Sequence, residues 1–164
     1  YYEPGMPGYL AMYHNALWVS LVNGSCATPF WWSYSSWLND SVVTNQMLYF
    51  SQFVSKIDFV DQDFVPAEIT ASNCDAWAMR ADKFIIGWVV NPRTSVAKES
   101  FTISGLPDGQ YELRLYRTWR GRYMDPQAVE CRDGKLTCTI PELKTTGGHA
   151  LHIGNDVAFK IVPR

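Results

Sequence analysis

At 164 residues the chain is bounded at one ordinary domain, or a small domain plus part of another, which excludes a complete barrel-sized enzyme. Hydrophobic residues at 47% and charged residues at 18% exclude disorder and supply a core of normal size. A formal charge of -2 excludes a nucleic-acid partner held by phosphate neutralisation, and no apolar run approaches the roughly 18 residues of a membrane span.

The opening Tyr1-Tyr2-Glu3-Pro4 is neither an initiator Met nor a signal peptide, and reads as the start of a piece excised or processed from something longer. From Tyr9 to Val22 the residues Leu10, Tyr13, Leu17 and Leu21 recur at spacings of three and four, and Gly24 follows, so the segment is expected to be a helix with a glycine C-cap. Ala27-Thr28-Pro29-Phe30-Trp31-Trp32 is a short apolar run between Gly24 and the serines that begin at Ser33, and reads as a buried strand. Asn39-Asp40-Ser41 offers N-caps for a second helix with the stripe Val43, Met47, Phe50, Val54, Ile57. Helix, strand, long loop, helix is the repeating order of an α/β protein with a parallel sheet.

Asp61-Gln62-Asp63-Phe64-Val65-Pro66 has neither helical nor strand periodicity, and residues 61–72 read as a linker. After residue 73 the pattern changes to short alternating runs. Strands are expected at 76–80, 84–90, 99–104, 110–119, 128–131, 135–140, 149–153 and 157–162. Turn signals separate them, among them Pro107-Asp108-Gly109, Asp133-Gly134 and Gly147-Gly148. About eight strands at this spacing mean an antiparallel β-sandwich or small barrel.

Charge divides the chain at the same place. Residues 1–60 hold four charged side chains (Glu3, Asp40, Lys56, Asp58) and 14 of the 24 aromatics, and the remainder holds 26 charges, 13 of each sign. An opening third so poor in charge presents no normal solvated surface, and is expected to be covered by other protein or to dock heavily on the remaining two thirds of the chain. A second copy of the chain is one surface that would cover it. The fold expected is therefore an α+β composite: residues 1–60 as a helix-strand-helix segment, 61–72 as a linker, and 73–164 as an antiparallel β-sandwich.

Three stretches together resemble a known family: Tyr13-His14-Asn15-Ala16-Leu17-Trp18, then Gly24 with Ala27 to Trp32, then Phe53-Val54-Ser55-Lys56-Ile57-Asp58-Phe59. They are similar to the last βα units of cellulase- or mannanase-like glycoside hydrolases, whose (β/α)8 barrel is followed in one bacterial branch by a small β-sandwich. The likeness extends to the order of both parts and so to nearly the whole chain. It implies that 9–22 is helix seven, 27–32 strand eight and 42–56 helix eight of such a barrel. Active sites lie at the C-terminal ends of barrel strands, which implies sugar contact by Trp31 or Trp32, with Tyr34 and Trp37 further out. An indole can cover the apolar C–H face of a pyranose while the hydroxyls stay at its rim. Adjacent residues on a strand point to opposite faces, so one of the two tryptophans at most lines the site, and packing in the barrel is the plainer role for either.

Retaining glycosidases need two carboxyls about 5 to 5.5 Å apart. In the resembled family both would precede Tyr1, so the chain by itself is expected to hold no catalytic residue and to be inactive. Polysaccharide and the upstream barrel are then its partners, with the sandwich bracing the barrel, and export to the periplasm or exterior is implied by a polymeric substrate. Two other classes remain open: a non-catalytic carbohydrate-binding module, and a structural or interaction domain.

Other residues read more plainly. His14 and Asn15 are expected to be a buried hydrogen-bonded pair fixing helix to strand. His149 and His152 lack neighbouring ligands, so no metal and no cofactor is expected. The run from Arg114 to Tyr123 interleaves four Arg with three aromatics and reads as a strand and turn whose Arg lie over aromatic faces, with sugar or polyanion binding as the sharper alternative. Cys131 and Cys138 flank the Asp133-Gly134 turn. A two-residue loop sets them diagonally, too far for an unstrained disulfide, and a wider loop would bring them opposite. Cys26 and Cys74 are expected to be reduced and buried.

Overall fold

A computed structural model describes residues 8–25, 39–82, 84–92, 99–143 and 154–164. Within them are two helices and a ten-stranded antiparallel sheet, an α+β composite.

Helix α1, Tyr9–Val22, ends as its sequence predicts: Asn23 N–H donates to Val19 O at 3.1 Å, and Gly24 takes the left-handed conformation at φ 70. Helix α2, Ser41–Val54, starts at Asp40, whose carboxylate accepts from Val42 N–H at 2.8 Å.

The strands are β1 (Val65–Pro66), β2 (Ile69–Ala71), β3 (Asp75–Arg80), β4 (Ile85–Val90), β5 (Glu99–Ser104), β6 (Gly109–Arg117), β7 (Arg122–Tyr123), β8 (Gln127–Arg132), β9 (Lys135–Ile140) and β10 (Asp156–Pro163). Their order is β1-β3-β4-β10-β6-β8-β9-β5-β2, with β7 beside β6. Residues 65–71, read from sequence as linker, supply both ends of that path. Ala67 N–H donates to Ala78 O on β3, and Ser104 N–H at the end of β5 donates to Glu68 O. One short stretch of chain thus meets both margins of the sheet and curls it. Two residues cannot show a periodicity, which is why β1 and β7 leave no pattern in the sequence.

Curling gives the sheet an inside and an outside. Inside, alternate residues of the long strands form one core, with Ile85 and Val89 of β4, Leu113 and Leu115 of β6, and Phe159 and Ile161 of β10. Phe101 of β5 stacks on Phe159 of β10 with centroids 4.5 Å apart, although three strands separate them along the sheet. Gly87 lies opposite Phe159 in the ladder, and a Cβ there would overlap the phenyl ring. Outside, the intervening residues Ile86, Trp88, Tyr116 and Ala158 form a second core with Tyr13, Leu17 and Trp18 of α1 and Val43 and Phe53 of α2. Strand β4 is buried at every position because both its faces are covered, as in its unbroken run Ile85-Ile86-Gly87-Trp88-Val89-Val90.

Asp133 and Gly134 both have positive φ, 51 and 71, as a two-residue hairpin turn requires. Cys131 then pairs with Leu136, and Cys138 lies opposite Phe101 on β5. Cys131 and Cys138 are buried free thiols, Cys74 is buried as well, and burial pushes the Cys138 thiol up to about 12. Strand 149–153 and Cys26 lie outside the described residues.

Candidate functional site

Trp31, Trp32, Tyr34 and Trp37, with the strand 27–32 that would carry two of them, also lie outside the described residues, as do His149 and His152. The most concentrated polar chemistry that is described lies between the helices and the outer face of the sheet.

Strand alternation selects it. On β10 the outward residues are Asp156, Ala158 and Lys160, so a carboxylate, a methyl and an ammonium face the helices in turn. Asp156 is fully shielded from water. Its Oδ2 accepts from Trp88 Nε1 at 2.6 Å and meets His14 Nε2 at 3.0 Å, and its Oδ1 accepts from Trp119 Nε1 at 2.6 Å. His14, equally shielded, reaches Gln46 Oε1 of α2 with Nδ1 at 2.7 Å, and its ring stacks on Trp119 at 3.8 Å. Burial alone would raise the Asp156 pKa. The charge and hydrogen bond of His14 and the Trp88 N–H outweigh it and hold the carboxyl below its usual range.

Four residues along, Lys160 donates to Phe53 O at 2.7 Å near the end of α2, and its ammonium sits 4.7 Å above the Phe53 ring. Burial, then the nearby Arg114 and Lys56, lower its pKa to about 8. Tyr116 of β6 donates to Tyr49 O of α2 at 2.8 Å.

The second buried carboxylate, Glu99, takes Ser72 N–H at 3.1 Å and Asn73 N–H at 3.3 Å on Oε1, and Asn73 Nδ2 at 3.1 Å on Oε2. Burial raises its pKa, and these donors, led by the Ser72 hydroxyl, more than reverse that. Asp156 and Glu99 are therefore ionised and saturated with donors. Neither is a proton donor held ready for a leaving group. No group of three or more metal-ligating side chains occurs among the described residues.

The sequence singled out His14 and gave it a buried, hydrogen-bonded role, and the structure supplies partners on β10 and α2. Asn15 is only half-buried and does not join that network. Among the aromatics interleaved with arginine, Tyr116 is buried, and Trp119 is committed to His14 and Asp156. Asp156, Trp88 and Gln46 went unmarked. The available signal was a carboxylate and an ammonium at i and i+4 in an otherwise apolar strand, which places both on one face.

No family model matches the chain, and no curated protein matches it. Solved structures do. An endoxylanase of glycoside hydrolase family 30 from Clostridium papyrosolvens matches all of this chain (100%) with 40% of its own length, at 17% identity and TM-score 0.56. A family 30 subfamily 8 xylanase from Clostridium acetobutylicum likewise matches 100% of the chain with 41% of its own, at 11% identity and TM-score 0.50.

The fold is one found within glycoside hydrolases. This chain spans about two fifths of the length of those two enzymes, 40% and 41%. The helices and curled sheet thus occur together, in one chain, in proteins whose remaining length has no counterpart here.

Proposed function

We propose that the chain is the C-terminal region of a carbohydrate-degrading glycoside hydrolase, comprising the last helices of its barrel and a β-sandwich that braces them. The observation that carries this reading is the two-sidedness of α2. One face of α1 and α2 is cemented to the sheet through His14, Gln46 and Phe53. At the margin of that contact Leu21, Phe50 and Val54 meet Phe64 and Met79 around a hollow of about 730 Å³, and away from it α2 keeps apolar side chains exposed. On α2 Val42, Met47 and Leu48 are 48%, 36% and 51% exposed. Met47 belongs to the stripe that sequence periodicity marks as core, and with Val42 and Leu48 it fits cover by further protein, such as the rest of a barrel.

Catalysis in this reading belongs to carboxyls upstream of Tyr1, since Asp156 and Glu99 are consumed structurally. Trp31 or Trp32, with Tyr34 and Trp37, would stack on sugar at the end of the last barrel strand. A polymeric glycan substrate fits a periplasmic or extracellular setting.

The test is release of reducing ends from xylan, glucan, mannan and arabinan by this chain and by the longer polypeptide that contains it. Activity confined to the longer form is expected. Turnover by the chain alone, or none in either, would overturn the proposal.

A further inference from the structure

Beside the buried network is a cleft that none of its hydrogen bonds crosses. Asn15 and Val19 of α1, Asp75 and Trp77 of β3, Trp88 of β4 and Asn155 are among the residues lining a space of about 530 Å³. That volume lies within the range of small-ligand sites. Trp88 is held by its N–H bond to Asp156, and the half-buried Trp77 stacks on it with centroids 5.5 Å apart and planes 20° from parallel. Trp77 is thereby a flat apolar platform on a fixed support.

The polar groups of the cleft are unspent. Asn155 is 1% exposed. Its Nδ2 donates to Asn91 O at 2.6 Å, and its Oδ1 is buried with no hydrogen-bond partner among the described residues. A buried acceptor left unpaired is costly. The side chains of Asn15 and Asp75 make no hydrogen bond or ion pair among the described residues, in contrast to the saturated carboxylate of Asp156 nearby. An indole platform, an amide and a carboxylate match the two-sided chemistry of a sugar ring, with apolar C–H faces and a rim of hydroxyls that both donate and accept.

We propose that this cleft binds a pyranose of a glycan chain, its C–H face on Trp77 and its hydroxyls on Asn15 and Asp75. The site binds without cleaving. Its existence rests on these side chains alone, and the choice of polysaccharide sugars as probes rests on the hydrolase reading.

The test is titration of the chain with xylohexaose, cellohexaose and mannohexaose, followed by tryptophan fluorescence and calorimetry. Oligosaccharide is taken to about 10 mM, where a millimolar site fills. Saturable binding of at least one hexaose is expected, weakened more than about tenfold by Trp77→Ala and about three- to tenfold by Asn15→Ala and by Asp75→Ala. Near-ultraviolet circular dichroism reports folding. Should Trp77→Ala unfold, the other two variants decide, since Asp75 is exposed and Asn15 lies on a helix surface. Absence of saturable binding to all three sugars, or binding that every folded variant keeps unchanged, overturns the site. Hydrolysis by the longer polypeptide is a separate readout, so loss of the site and loss of the hydrolase reading are told apart.

Discussion

His14 and Asp156, 142 positions apart in the chain, meet at 3.0 Å with neither side chain reaching solvent. The pair ties α1 to β10, and Gln46 extends the tie to α2, so the helices and sheet are joined by a hydrogen-bonded network inside an otherwise aromatic interface. A buried carboxylate stripped of a partner, or buried donors stripped of their carboxylate, are left uncompensated, which costs about 3–5 kcal/mol. Asp156→Ala and His14→Ala are each expected to lower the unfolding free energy by that amount in urea titrations. The acid limb comes from the depressed Asp156 pKa. Folded Asp156 stays ionised below the ordinary aspartate value of 3.8, while the unfolded chain takes up a proton there. Its stabilisation is thus complete above about pH 5 and lost progressively as pH falls through and below that value, and Asp156→Asn should flatten that loss.

Lys160 works in the opposite direction. Its folded pKa is about 8 against an ordinary lysine value of 10.5, so between those limits the unfolded chain holds a proton that the folded one has released. Stability from this group therefore rises with pH across that window. Because the side chain is only half-buried, the gain is about 1–2 kcal/mol after allowance for solvent screening. The difference in unfolding free energy between the native chain and Lys160→Met, measured at pH 7 and at pH 10, should change by that amount in favour of the native chain.

Gly121 in the turn between β6 and β7 has φ 62, and a Cβ there would overlap the ring of Tyr49 on α2. Gly121→Ala should cost about 1–3 kcal/mol, from left-handed strain plus the collision. Tyr49→Ala in the same chain should relieve the collision and leave the strain. A thermal-melt double-mutant cycle separates the two, and strictly additive effects would mean that the ring and the turn do not press on each other.

How far the sequence could be read varies with the physics behind each element. Helix α1 is legible to its ends because Leu10 to Leu21 keep helical spacing and Gly24 stops it. Helix α2 is legible for the same reason with Asp40 as cap. Its stripe, however, mixes two faces: Val43 and Ile57 turn to the sheet, whereas Met47 is exposed. Periodicity marks a residue as apolar without saying which neighbour it meets. The long strands are legible through alternation and turns such as Asp133-Gly134. Residues 65–71 are not, because their pairing is set by distant edges of the sheet. The Asp156 network was hidden for a related reason, since its members come from five separate segments and meet only through tertiary structure. The sequence marks only His14, conspicuous in an uncharged helix, and Trp119, one of the aromatics in the arginine-rich run.

On the proposed function, the outward face of α1 and α2 belongs against further protein of the same enzyme. Hydrogen exchange by mass spectrometry on peptides spanning 9–22 and 41–54, in this chain and in the longer polypeptide that contains it, reads that cover directly. Exchange slowed by at least about tenfold in the longer form, with β6 and β9 unchanged, is the predicted result. Equal exchange of both helices in the two forms would contradict it.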